Sequence, residues 1–170
     1  MAFVARCASL QRLFGERSNS LVENSRLEFC DATALSTSGT GLALVGDVVD
    51  NTSTSSDLGM GEPLYLIIQV TTAVTSGGSA TVNFKLASDA QAAIAVDGTA
   101  TVHNVTADIP KATLTAGHRI VMPLSSGTTQ YERFIGVIQD VGTAALTAGA
   151  IDAFISKDPM GWRAYPDATN

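Results

Sequence analysis

The chain has 170 residues, of which 45% are hydrophobic and only 15% charged, and its net charge is −6. That length suits a single domain with a sizeable core, and an acidic balance so poor in Lys and Arg excludes a protein that works by neutralising nucleic-acid phosphates. No apolar run approaches the length of a membrane span.

Charge is unevenly spread along the chain. Residues 1–26 hold four Arg and two acids, whereas residues 27–170 hold six Lys or Arg and fourteen acids. A basic arm therefore precedes an acidic body. Within the arm, Phe3, Cys7, Leu10 and Phe14 recur at steps of three and four, which is a helical stripe, and Gly15 or Ser18-Asn19-Ser20 would stop it. One short helix is not stable alone, so Phe3, Leu10 and Phe14 are candidate interface residues that dock on the body or on another subunit. The competing reading is a solvated helix with incidental arginines. Arg6 and Arg12 interrupt any signal-length apolar segment, so the chain is expected to be made in a cytoplasm and to stay reduced there. Its two cysteines, Cys7 and Cys30, have the spacing of neither a disulfide framework nor a metal site.

From Leu27 onward, short strands alternate with turns. The expected strands are Leu42–Val49, Leu64–Thr72, Ala80–Leu86, Thr99–Val105, Arg119–Leu124, Glu132–Gln139 and Ala150–Lys157, with a further short one near Lys111–Leu114. At and beyond the end of the first of them, Asp47, Asp50, Asn51 and Asp57 form an acidic cluster that could hold a cation, although their spacing is not that of a calcium-binding helical hand. Next comes Gly59-Met60-Gly61-Glu62-Pro63, which begins like a nucleotide-binding fingerprint. The context excludes that: no strand precedes it, the third glycine is missing, and Glu62 would repel an anion. Pro63, with no N–H to donate, suits the first residue of a strand, so the segment reads as the turn into Leu64–Thr72.

Period-two alternation sets Val82, Phe84 and Leu86 against Asn83 and Lys85, and Ile151, Ala153 and Ile155 against Asp152 and Ser156. Seven or eight such strands divided by small polar turns predict an all-β, antiparallel jelly-roll sandwich. It would occupy residues 27–157, between the N-terminal arm of residues 1–26 and an irregular tail of residues 158–170. Only His103 and His118 could serve a hydrolase as base, and neither accompanies a recognisable nucleophile motif. No cofactor or enzymatic activity is expected. The tail carries Trp162, the only tryptophan, beside Arg163 and Tyr165. These residue types are enriched at interface hot spots, and the three are further interface candidates. The alternative is that Trp162 folds back over an open end of the sandwich.

Several segments together carry a family resemblance. They are Leu27-Glu28-Phe29-Cys30-Asp31-Ala32-Thr33-Ala34, Leu58 to Val70, Ser76 to Val82, Leu114 to Leu124, Tyr131 to Val137 and Leu146 to Ile151. In order and spacing the chain resembles the Bbp16-like capsid cement proteins of tailed bacteriophages. The resemblance implies a jelly roll on the outer surface of a virion, bridging major capsid proteins without turnover. Self-association is also expected, a homodimer at a local two-fold first and a trimer second. The competing class is a carbohydrate- or receptor-binding module, a use to which jelly rolls are also put.

Overall fold

A computed structural model describes residues 27–51, 63–124 and 129–159. Nine strands lie within them: β1 (Glu28–Ala34), β2 (Gly41–Asp50), β3 (Tyr65–Thr75), β4 (Thr81–Asp89), β5 (Thr101–Val105), β6 (Ile109–Pro110), β7 (Arg119–Pro123), β8 (Phe134–Gly142) and β9 (Ala148–Ser156). The pairing is nested: β4 with β5, β3 with β7, β2 with β8, and β1 with β9, all antiparallel. A long hairpin rolled up on itself gives this order. Two further pairings, β3 with β9 and β4 with β8, fuse the nested pairs into sheets ordered β1-β9-β3-β7 and β2-β8-β4-β5, while two-residue β6 adds to β4. The fold is the jelly-roll sandwich that the strand pattern predicts.

The inner faces are those that the alternation marks. Leu66, Ile68 and Val70 of β3, Val82, Phe84 and Leu86 of β4, Ile135 and Val137 of β8, and Ile151 and Ala153 of β9 are all buried in one cluster with Phe29. Each large side chain so buried contributes about 1.5–3 kcal/mol. Three local expectations shift. Lys111 to Thr113 form a turn, with Thr113 N–H donating to Pro110 O, because β4 takes its short partner just before it at Ile109–Pro110. Strand β3 starts at Tyr65, two residues after Pro63. Strand β1 is absent from the expected set because its alternation is broken.

That break has a cause. Ala32 takes a left-handed φ of 42° where the β1–β9 register slips between Cys30 and Thr33. The bulge frees the Ala32 N–H, which donates to Asp152 Oδ1 at 2.7 Å. Asp152 is consequently only 5% exposed, where simple alternation puts it in solvent. Buried beside it is the Cys30 thiol, pushed up to about 12 by loss of water and by the Asp152 charge. A second buried polar group, Gln139, accepts from Ser36 N–H at 2.9 Å and donates to Ser36 O at 3.1 Å, pinning the β1–β2 connection.

The edges β1 and β2, which belong to opposite sheets, meet at Gly46. A Cβ there would lie 2.2 Å from Phe29 O and 2.6 Å from Cys30 Cβ, and its φ is +69°. The outer face of the second sheet has its own small cluster. Ile94, from the β4–β5 connection, lies over Gly136 and packs with Ala87 and Ile138. Asp89 holds that connection by accepting from Ala95 N–H and Gln91 N–H, and Asp97 does so through the Thr99 hydroxyl and N–H.

Gly46→Ala should destabilise the fold by about 3 kcal/mol, the upper part of the usual cost of overpacking, because the obstructing atom is backbone. Gly77→Ala, with open space around it, should stay within about 0.5 kcal/mol. Urea unfolding of the two variants against the parent measures both, and equal midpoints would contradict the close approach.

Candidate functional site

The two poles of the roll differ in what they carry. At one pole lie the turns 35–40, 76–80 and 143–147. At the other lie the start of β1, the end of β2, the start of β3, the end of β7, the start of β8 and the end of β9. Register places them side by side: Asp50 opposite Phe134, Tyr65 opposite both Pro123 and Ser156, and Ile155 N–H donating to Leu27 O at 2.8 Å. The arm therefore joins the body at this pole through Leu27, and β9 ends there on the way to the tail. The interface candidates Phe3, Leu10, Phe14, Trp162, Arg163 and Tyr165 lie outside the described residues, as do Cys7, Asp57 and Gly59 to Glu62. What the structure supplies is the surface to which arm and tail are tied.

Arg133 organises one side of this pole. Its Nη2 and Nε donate to the two carboxylate oxygens of Asp50 at 2.9 and 3.2 Å, and the guanidinium stands 4.7 Å from the centre of the Phe134 ring. Asn51 N–H donates to Arg133 O at 2.7 Å. The hydrogen bonds to Asp50, and then its charge, hold Arg133 more firmly protonated than usual. Asp50, one of the four residues of the acidic cluster, is thus paired with a guanidinium. Among the described residues, no three His, Cys, Asp or Glu side chains gather as a metal site.

The other side of the pole is closed by a polar plug. Ser88 continues the inward alternation of Val82, Phe84 and Leu86, and is fully buried. Its Oγ accepts from Glu132 N–H at 3.0 Å and lies 2.7 Å from His103 Nε2. The hydroxyl has a second lone pair and one hydrogen, so it pairs with Nε2 in either imidazole tautomer while it holds the backbone N–H. The His103 ring stacks on Tyr131 with centroids 3.8 Å apart and planes 21° apart. Glu132 Oε1 accepts from the Thr101 hydroxyl at 2.7 Å. Nearby, Asn104 Nδ2 donates to Pro123 O at 2.9 Å, joining the free edges of the two sheets.

The sequence singled out His103 without a partner; its partners are Ser88, Tyr131 and Glu132. Extending the β4 alternation by one step past Leu86 would have found Ser88. Nothing local marks the other two, which arrive from a different connection. The Ser–His contact has the elements of an activated nucleophile, yet its oxygen is fully buried inside the sandwich and already engaged by the Glu132 N–H. Here it fastens the β7–β8 connection to β4 and β5. His118 stands at the turn into β7, as expected, and joins that turn to β3 through its backbone, with Val70 N–H donating to His118 O at 2.9 Å.

Burial lowers the His103 pKa from its ordinary 6.5, with Glu132 opposing more weakly. The neutral ring is thus favoured by folding. Its contribution to stability is complete above about pH 6.5 and is lost as pH falls from there through the folded-state pKa. The lowered Asp89 and Asp97 carboxyls act in the same direction, but only around and below 3.8. Unfolding midpoints should accordingly fall between pH 7 and pH 5 in the parent and change much less in His103→Gln; identical pH profiles would rule the plug out as the cause.

Comparison with known families finds the Bbp16 family model matching residues 29–155, from the first core residue of β1 to the last of β9. Comparison with curated proteins finds no match. With most of its length covered, including every strand of the roll in whole or in large part, the chain belongs to the Bbp16 family.

Proposed function

We propose that this protein is a capsid cement: a jelly roll that sits on the outer surface of a tailed-phage head and bridges major capsid proteins. The observation that carries the reading is that the arm and β9, which leads on to the tail, attach at one pole of a body whose core is continuous. A bridging protein needs a rigid body and at least one extension that engages a different subunit. The basic arm, with Phe3, Leu10 and Phe14 on one stripe, has the composition for that engagement, and the acidic body of a second copy is a suitable surface for it.

The mechanism is binding without turnover. Once the body is seated, engagement of the arm becomes intramolecular, so two weak contacts act as one strong one. The composite site exists only in the assembled shell, and occupancy therefore stabilises assembly by mass action. Pairing of copies about a local two-fold, with a trimer as the second choice, would multiply the contacts again.

Heads lacking the protein should assemble with a normal complement of major capsid protein but release DNA at a lower temperature. Unchanged DNA retention after complete removal would overturn the reading. Removing residues 1–26 should leave the body folded, because β1 begins at Glu28, while weakening retention on heads about tenfold or more. Loss of even one buried aromatic contact from the stripe would account for that factor. Quantifying both proteins on purified heads after washing makes the comparison.

A further inference from the structure

The outer face of the sheet β1-β9-β3-β7 contains a side chain that the strands themselves do not cover. Leu66, Ile68 and Val70 point into the core, so Ile67 points outward. Its cross-strand neighbours are Val121 on β7 and Phe154 on β9. Val121 is 41% exposed, yet Ile67 is only 1% exposed and belongs to neither buried hydrophobic cluster. Neighbours in a sheet stand beside a side chain and leave its tip open. The outer face of a sandwich normally meets solvent with polar residues. Burial of Ile67 therefore requires something lying on top of it.

The end of the described chain leads there. Strand β9 finishes at Ser156, opposite Tyr65. The chain then turns, with Asp158 N–H donating to Ser156 Oγ at 3.2 Å, and three residues after Ser156 the Pro159 carbonyl accepts from Arg119 Nη2. Arg119 lies opposite Gln69, on the same outward face as Ile67 and Val121. From Ser156 that is four residues, or about 13 Å, back along the sheet and two strands, or about 10 Å, across it. A chain leaving straight past the pole could not meet this guanidinium. The path instead reverses over the outer face, and Trp162 follows Pro159 by three residues, at most about 10 Å. The row Val121–Ile67–Phe154 begins two residues along β7 from Arg119.

We propose that residues 160–170 lie across the outer face of this sheet, with Trp162 seated on Ile67 and Phe154 and the exposed Val121 at the rim. Trp162 then belongs to the domain's own packing, in line with the fold-back alternative for this side chain and not with a role in contacting the shell. The proposal is independent of the cement reading, since it concerns the free protein alone.

Trp162 is the only tryptophan, so its fluorescence reports directly on its surroundings. In the free full-length protein its emission should be blue-shifted from that of tryptophan in water and shielded from acrylamide. Ile67→Ser and, as a milder change at the rim, Val121→Asp should each move the emission to the red while circular dichroism keeps the β signature. A chain ending at Pro159 should stay folded and bind a hydrophobic dye that the full-length protein does not. Water-like emission in the full-length protein would overturn the proposal, as would a blue shift unaffected in both folded variants. So would dye binding that appears on removal of residues 1–26 and not on removal of the tail, since the arm would then be the cover.

Discussion

The roll closes where β1 and β2 touch, and it closes there because residue 46 is glycine. The Phe29 carbonyl occupies the space that any side chain at that position would need. Phe29 itself is among the largest fully buried residues. The same contact therefore brings the edges of the two sheets together and drives an aromatic ring into the core. On the opposite side, the free edges β5 and β7 are joined more loosely among the described residues, by one side-chain amide on one carbonyl. Nested pairing of strands fixes which edges face each other, but only the backbone contact at Gly46 determines how tightly one side is drawn shut.

Buried polar groups are placed at the joints of the roll. Asp152 holds the β1 bulge, Gln139 holds the β1–β2 connection and Ser88 holds the β7–β8 connection. Burying such groups is costly unless each finds its hydrogen bonds, and here each is matched to a backbone group that regular strand pairing leaves over. The arrangement specifies register as well as stability, because a one-residue slip would leave a buried carboxylate or amide without its partner. It also has a chemical side effect: the Asp152 charge and the loss of water together make Cys30 a poor nucleophile.

A division of labour follows between the body and its terminal pole. The body is a closed roll with a continuous core and resists deformation. Its pole is fastened by side-chain bonds between neighbouring elements, Arg133 to Asp50 on one side and Ser88 to His103 on the other. Both extensions leave from the first sheet, through the paired strands β1 and β9, so a load on either enters the closed roll through neighbouring strands. That property suits a protein whose proposed work is to hold neighbouring shell subunits together.

What the sequence determined by itself was the set of regular strands and their inward faces. Val82, Phe84 and Leu86, or Ile151, Ala153 and Ile155, need only a period of two to show which side is buried, because water sorts each side chain independently of where the partner strand comes from. The family resemblance, carried by ordered short segments, was legible for the same reason: turn glycines and strand residues act locally. Tertiary structure alone decided the rest. Strand β1 escaped the pattern because its bulge depends on a carboxylate 120 residues away, and Asp152 looked solvent-facing because its partner lies on another strand. His103 acquired Ser88 and Tyr131 only when β4, β5 and the β7–β8 connection met at one pole. The fold-back of the chain after β9 depends on a guanidinium from β7. Each of these is a contact between segments distant in sequence, whose geometry is set by the packing of two sheets and leaves no periodic mark on the chain.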